Sequence, residues 1–551
     1  MRVTKINGVP TFINAESSNT YGCTWNESTD AYTRTGAISG EATGASPGDA
    51  KLPVHARMKR CIVSDAGAVQ YYLDPDNSAN KLGIAPSVTG TCEAASAFNK
   101  VKDTGVFTAA NVGVGRIIHN TTVGKTAIYA IVTARDSDNE VTIDTFMHGG
   151  LTARCAGVAT TDTANKLIAS ATNFTTSGVT AGDIVRRVST DRMTVAAIMK
   201  CKGVDAANTL SLMDWAGSDY DGFTSGNEKF VIFPEAFSTG DTFEICTAVL
   251  DGTDGQVMVE IPKFYYRNTY NSNVHSPSVR LAPWPGYALH PAFIRDGVEV
   301  DNRYYSAFEG FNNGGKLRSQ LGQFPTVYQT RATFRVYAHA VGTGWRQEDF
   351  YLRSAVQLLY LIEYASFNSQ SMIGLGATNW GGYWNTYNGY YPVWKTGLSL
   401  FKGNKTGNNV STANTLGNGS YMTYRGIENW YGHIWKWLDG INVISNRAWV
   451  SGNETQFADA TIANYTDTET NMATSNEYQA TLLPLSYGFL CATTGAGTTT
   501  KITDYYYQST GNRVVYVGGG LDSGANAGAF YFDADAASGS AYAYIGGRAV
   551  L

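Results

Sequence analysis

The chain has 551 residues, 43% of them hydrophobic and 16% charged, with a formal net charge of −5. That hydrophobic content supports packed cores and excludes a disordered chain; the length calls for roughly two to four domains. A slightly acidic balance without basic clusters argues against nucleic acid as a partner.

Glycine (59) and tyrosine (34) are abundant, and charge is well below the usual ~25%. This suits a β-rich extracellular or virion protein with polar, uncharged surfaces. The seven cysteines, Cys23, Cys61, Cys92, Cys155, Cys201, Cys246 and Cys491, are scattered and form no CxxC pair. A zinc site or disulfide framework is not expected; buried thiols of a protein assembled in a reducing cytosol are. No signal-peptide core follows Met1 and no apolar run reaches ~18 residues, so neither secretion by a signal nor membrane insertion is expected.

Taken in order, residues 1 to about 50 are rich in Gly, Ser, Thr and Asn and read as loops and short strands. Residues 53 to 74 read as two β runs around Asp65-Ala-Gly67, with His55 at a strand end on the surface. Residues 93–248 contain an internal repeat. Phe107 to Ile118 matches Phe174 to Val185 at an offset of 67, and Ala127–Ile131 matches Thr194–Ile198 at the same offset. Two extra residues precede Leu210–Leu212, the mate of Val141–Ile143, which preserves strand parity. Two consecutive β units, about 93–160 and 161–248, are expected, looped out as a spacer from a body made of residues 1–92 and 249–551.

One helix is expected over Gln347–Ser366, with acidic residues in its first turn and a broad apolar face; Arg353 and Glu363 read as polar-face residues. Residues 376–394 combine Gly, Asn and aromatics without period. Trp380, Tyr383, Trp384, Tyr387 and Tyr390 form a possible secondary binding loop, or pack beneath it. The last stretch runs from Arg513 to Arg548. Alternation there places Phe530, Phe532 and Ala534 on one strand face and Tyr531, Asp533 and Asp535 on the other, the exposed one. Tyr542 and Tyr544 repeat the pattern.

Two motifs carry a resemblance. The frame from Val517 through Asn526-Ala-Gly-Ala-Phe-Tyr-Phe532 to Ile545-Gly-Gly-Arg548 resembles the variable region of the diversified C-type-lectin-fold proteins of diversity-generating retroelements. Gly432-His-Ile-Trp-Lys-Trp437 resembles the Gly-Asn-Val-Trp-Glu-Trp motif of the formylglycine-generating, or sulfatase-modifying-factor, branch of that fold, with His433 and Lys436 departing from it. Together they cover roughly residues 50–90 and 250–551. The first resemblance places Leu521, Asp522, Ser523, Asp533, Asp535, Gly539, Tyr542 and Tyr544 at or near diversified positions; the second treats the motif's tryptophans as core.

The enzymes of this fold are the main rival. Their cysteine pair has no counterpart in Arg513–Leu551, and the seven histidines show no HxxxH spacing. Asp522, Asp533 and Asp535 either gather round a cation or are plain solvated carboxylates. The expectation is an α+β, β-rich chain with a C-type-lectin-like C-terminal domain and an inserted, duplicated small β-barrel module. It is expected to be a phage tail receptor-binding protein of the virion and, by the same resemblance, a homotrimer. It would work without catalysis, cofactor or metal, and contact other tail proteins and a host surface receptor, protein or glycan. The receptor site is placed on Leu521, Asp522, Ser523, Tyr531, Asp533, Asp535, Gly539, Tyr542 and Tyr544. A formylglycine-generating-type enzyme and a purely structural tail protein are the alternatives.

Overall fold

In a computed structural model the chain is a β-rich α+β protein. Described are residues 52–551, apart from a few single positions and pairs and the stretches 145–147, 150–153, 189–194, 224–227, 380–393, 410–419 and 496–501; before residue 52 only Ser46 and four strands within 3–36 are described.

Two sheets build the main body. A six-stranded sheet runs Arg346–Gln347, Ala549–Val550, Asn302–Ser306, Gln256–Pro262, Lys59–Val63 and Val69–Tyr72. Lys59–Val63 therefore lies between a strand that follows the repeat region and its own hairpin partner, whose turn uses Gly67 at φ 84°. The chain end joins the same sheet through Tyr305 and Val550. A nine-stranded sheet contains Trp435–Ile444, Asn512–Val517, Phe532–Ala536 and Tyr505–Gln508 as successive neighbours. The N-terminal strands Tyr21–Asn26 and Ala31–Gly36 extend a third sheet beside Val274–Arg280.

Helix α2 (Phe350–Tyr364) fills the space between layers. Asp349 caps it, accepting from Leu352 N at 2.9 Å, and Ala365 at φ 49° ends it. Both faces are buried, so the expected polar face is absent. Glu363 pairs with Arg425 at 2.6 Å, and Arg353 lies over the Trp430 ring and meets Glu348 at 3.2 Å. A shorter helix α1 (Arg331–His339) was not evident in the sequence; Thr330 caps it. His55 is buried in a helical turn and bonds Leu359 O at 2.8 Å, rather than lying on the surface.

The repeat region forms two seven-stranded sheets without helix among the described residues. One path runs 88–91, 242–249, 116–120, 128–135, 140–143, 100–102; the other runs 155–158, 229–233, 184–188, 195–206, 209–213, 166–168. These six follow the same order in both sheets; the seventh differs, His148–Gly149 pairing with 128–135 in one and Thr161–Thr163 with 166–168 in the other. Phe243 crosses Gly90 and Phe230 crosses Gly157, where a Cβ would meet the ring at 2.5 and 2.7 Å. The units are not consecutive. The second lies inside the first, whose last strand, Thr242–Val249, comes after it. Nor is the first unit a detached spacer. Ile117, Tyr129, Cys246 and Ala248 belong to the central core of the body, and Tyr129 bonds Gly397 O.

Cys61, Cys92, Cys155, Cys201, Cys246 and Cys491 are buried and unbridged. Among the described residues no helix is long and apolar enough to cross a membrane.

Candidate functional site

The C-terminal segment is clamped from below before it presents anything. Gly518 and Gly519 turn the chain at φ 90° and 75°, and a Cβ on Gly520 would lie 2.3 Å from the Trp435 ring, so a side chain fits none of the three. Gln370 Nε2 donates to Gly524 O at 2.7 Å and Ala527 O at 2.8 Å. Gln357 donates to Ala529 O at 2.8 Å, and Phe530 N donates to Asp504 Oδ2 at 2.6 Å. The Tyr478 hydroxyl holds Asn526 Oδ1 at 2.6 Å. Backbone groups of residues 524–530 are thus fixed by half-buried glutamines of α2 and of the short helix Ser369–Met372 and by the buried Asp504. That is the support a rigid binding surface needs.

Above this frame opens a cavity of about 320 Å³. Its aromatic wall is Trp435, Tyr507, Tyr516, Tyr531 and Tyr544; its polar groups are Asp522, Ser523, Asn526, Asp533 and Asp535. Tyr544 meets Trp435 edge-on with ring centroids 5.0 Å apart, and Tyr507 lies 6.1 Å from Tyr531. Hydrogen bonds order the carboxylates. Tyr531 Oη donates to Asp533 Oδ2 at 3.1 Å, Tyr516 Oη to Asp535 Oδ1 at 2.8 Å, and Asp535 N to Asp533 Oδ1 at 3.1 Å.

Six of the nine expected site residues come together here: Asp522, Ser523, Tyr531, Asp533, Asp535 and Tyr544. Strand parity divides Phe532 and Tyr531 into different cores as expected. The expected exposure does not hold throughout. Tyr531 and Asp533 are only 2% and 3% exposed, because Phe532–Ala536 is an interior strand with the Trp435 and Tyr516 side chains over its second face. Leu521 is fully buried against Ala377, Trp394 and Ile434 and is no part of the site. Gly539 is exposed on a turn but does not line the cavity. Tyr542 is half-buried at the rim, stacked on Tyr544 at 5.1 Å. The possible secondary loop, Trp380, Tyr383, Trp384, Tyr387 and Tyr390, lies outside the described residues.

Sequence reasoning missed Tyr507, Tyr516, Asn526 and Trp435. The run Tyr505-Tyr-Tyr507 was a usable signal. Trp435 was assigned wholly to core, yet it packs in the core and lines the cavity.

Electrostatically the site is acidic. Burial, and then the neighbouring Asp535, pushes Asp533 well above the usual carboxylate range; burial also raises Asp522. No group of three metal-capable side chains occurs among the described residues, so the three aspartates do not gather as a cation cage. Beneath the frame, Asp504 is pushed up to about 8 by burial.

No family model matches the chain, and no curated protein matches it.

Proposed function

We propose that the chain is a phage tail receptor-binding protein, with a C-type-lectin-like C-terminal body, that attaches to the host cell surface through this cavity and its tyrosine rim. The observation that carries the reading is the convergence of Asp522, Tyr531, Asp533, Asp535 and Tyr544 with Tyr507 and Trp435 on one opening over a frame fixed by side-chain to backbone hydrogen bonds. Rigid aromatic anchors beside adaptable polar groups are what a binding face uses. Binding proceeds without catalysis, in a virion-borne homotrimer that contacts other tail proteins. The resemblance of Val517–Arg548 to diversified variable regions supports the host-attachment assignment, and the cavity lies on that segment.

Adsorption tests this. The labelled chain, added to a panel of bacterial strains, should decorate at least one strain saturably. Failure on every strain whose phages carry this gene would overturn the reading. Diversification has its own test: a reverse-transcriptase gene and a near-copy of the coding sequence for Arg513–Arg548 should lie beside the gene.

A further inference from the structure

Elsewhere in this chain, shielded carboxylates are commonly matched by a cation. Glu363 faces Arg425 at 2.6 Å, Asp439 faces Arg335 at 2.6 Å, and Glu309 faces Lys436 at 3.0 Å. The cavity departs from that pattern, as does Asp504 beneath the frame, which accepts from Phe530 N. Among the described residues Asp522, Asp533 and Asp535 have no ion-pair partner, and no Lys, Arg or His lines the opening. The guanidinium of Arg513 is directed to the backbone carbonyls of Thr510 and Asp535, not to a carboxylate. Asp533 is 3% exposed, and its oxygens meet the Tyr531 hydroxyl, the Asp535 backbone N–H, the Asp535 carboxyl and the Tyr516 side chain, with no cation among these partners. No trio of metal-capable side chains is present among the described residues.

We propose that the cavity takes an organic cation bearing N–H donors, an alkylammonium or guanidinium group presented by the receptor. Asp522 and Asp535 at the mouth accept its hydrogen bonds, and the rings of Tyr507, Tyr544 and Trp435 stabilise it through their negative faces. Asp533 lies below them, its carboxyl raised by burial and by the adjacent Asp535. Phosphate, uronate and other anionic groups are excluded by the same carboxylates. This inference rests on the receptor-site reading and narrows it to one ligand chemistry.

The test is calorimetric titration of the full chain with N-acetyl-lysine methylamide, N-acetyl-arginine methylamide and glucosamine, beside the neutral N-acetyl-norleucine methylamide and N-acetylglucosamine. At least one cationic probe should bind saturably, roughly tenfold or more tighter than its neutral counterpart. The Asp522→Asn/Asp535→Asn variant should lose that binding at unchanged melting temperature. The amino-acid probes report a protein side chain as source, glucosamine an amino sugar. Equal binding of the neutral probes, no saturable binding of any cation at tens of millimolar, or unchanged binding in the variant overturns the inference. If the cations fail while Tyr507→Ala still weakens adsorption to cells, this inference falls and the receptor reading stands.

Discussion

His433 and Glu309, 124 residues apart, meet in the core with Nδ1 donating to Oε2 at 2.5 Å. Lys436 reaches the other carboxylate oxygen at 3.0 Å, and all three side chains are at most 1% exposed. The two positions at which Gly432–Trp437 departs from the motif it resembles therefore share one buried counter-charge. Burial opposes ionisation of Glu309, yet His433 and Lys436 draw it down to about 2; burial lowers Lys436 to about 8.

Removing one member of this group leaves an uncompensated charge in a dry site. Glu309→Gln should cost about 3–5 kcal/mol of stability. Glu309→Gln combined with Lys436→Met should recover part of that loss, a non-additivity read by denaturant titration of the single and double variants.

The pH dependence of stability follows from two opposed shifts. Glu309 is lowered on folding, so its contribution is present above pH ~4.5 and is lost as pH falls toward ~2. Asp504 is raised to about 8, so its contribution is full below pH ~3.8 and is lost as pH rises through ~8. Asp504→Asn keeps an acceptor for Phe530 N and removes the titration. It should stabilise by ~1 kcal/mol or more at pH 8 relative to wild type, and less at pH 5, in melts at the two pH values.

Phe532 and Tyr531 test the two sides of one strand. Phe532→Ala should cost about 3–5 kcal/mol, because the ring is enclosed with Tyr506, Val515 and Val517. Tyr531→Phe should cost only about 1 kcal/mol, the worth of its bond to Asp533. Thermal melts of both variants check this, and equal losses would contradict the packing described.

Cation binding should weaken as pH falls from 7 to 5. Burial raises both Asp533 and Asp522, so acid neutralises them more readily than ordinary carboxylates. The remaining titratable groups facing the cavity are Asp535 and the tyrosines at 507, 516, 531 and 544. Titration of the best cationic probe at both pH values checks it.

Much of the local structure was legible, because it rests on short-range rules. Alternation at Phe530–Asp535 set opposite faces correctly, and the helix signal at Gln347–Ser366 holds as Phe350–Tyr364. What failed depended on partners distant in sequence. Tyr531 and Asp533 read as exposed because nothing in residues 530–536 announces that Tyr505–Gln508 pairs alongside or that Trp435 and Tyr516 cover them. Arg353 and Glu363 read as polar-face residues because Glu348 and Arg425 could not be seen as their buried partners. The nesting of the repeat was hidden because the mate of Thr242–Val249 is Lys229–Phe233, which precedes it in the chain.

The most direct test of the central claim is paired adsorption. Wild type and the Tyr507→Ala/Asp535→Asn variant, matched by thermal melt, are titrated onto a strain that wild type decorates. The account predicts at least a roughly tenfold loss of apparent affinity in the variant, the effect of removing an aromatic anchor and a charged contact together. Equal adsorption of the two proteins, with the fold intact in both, would contradict it and move the receptor site off the cavity.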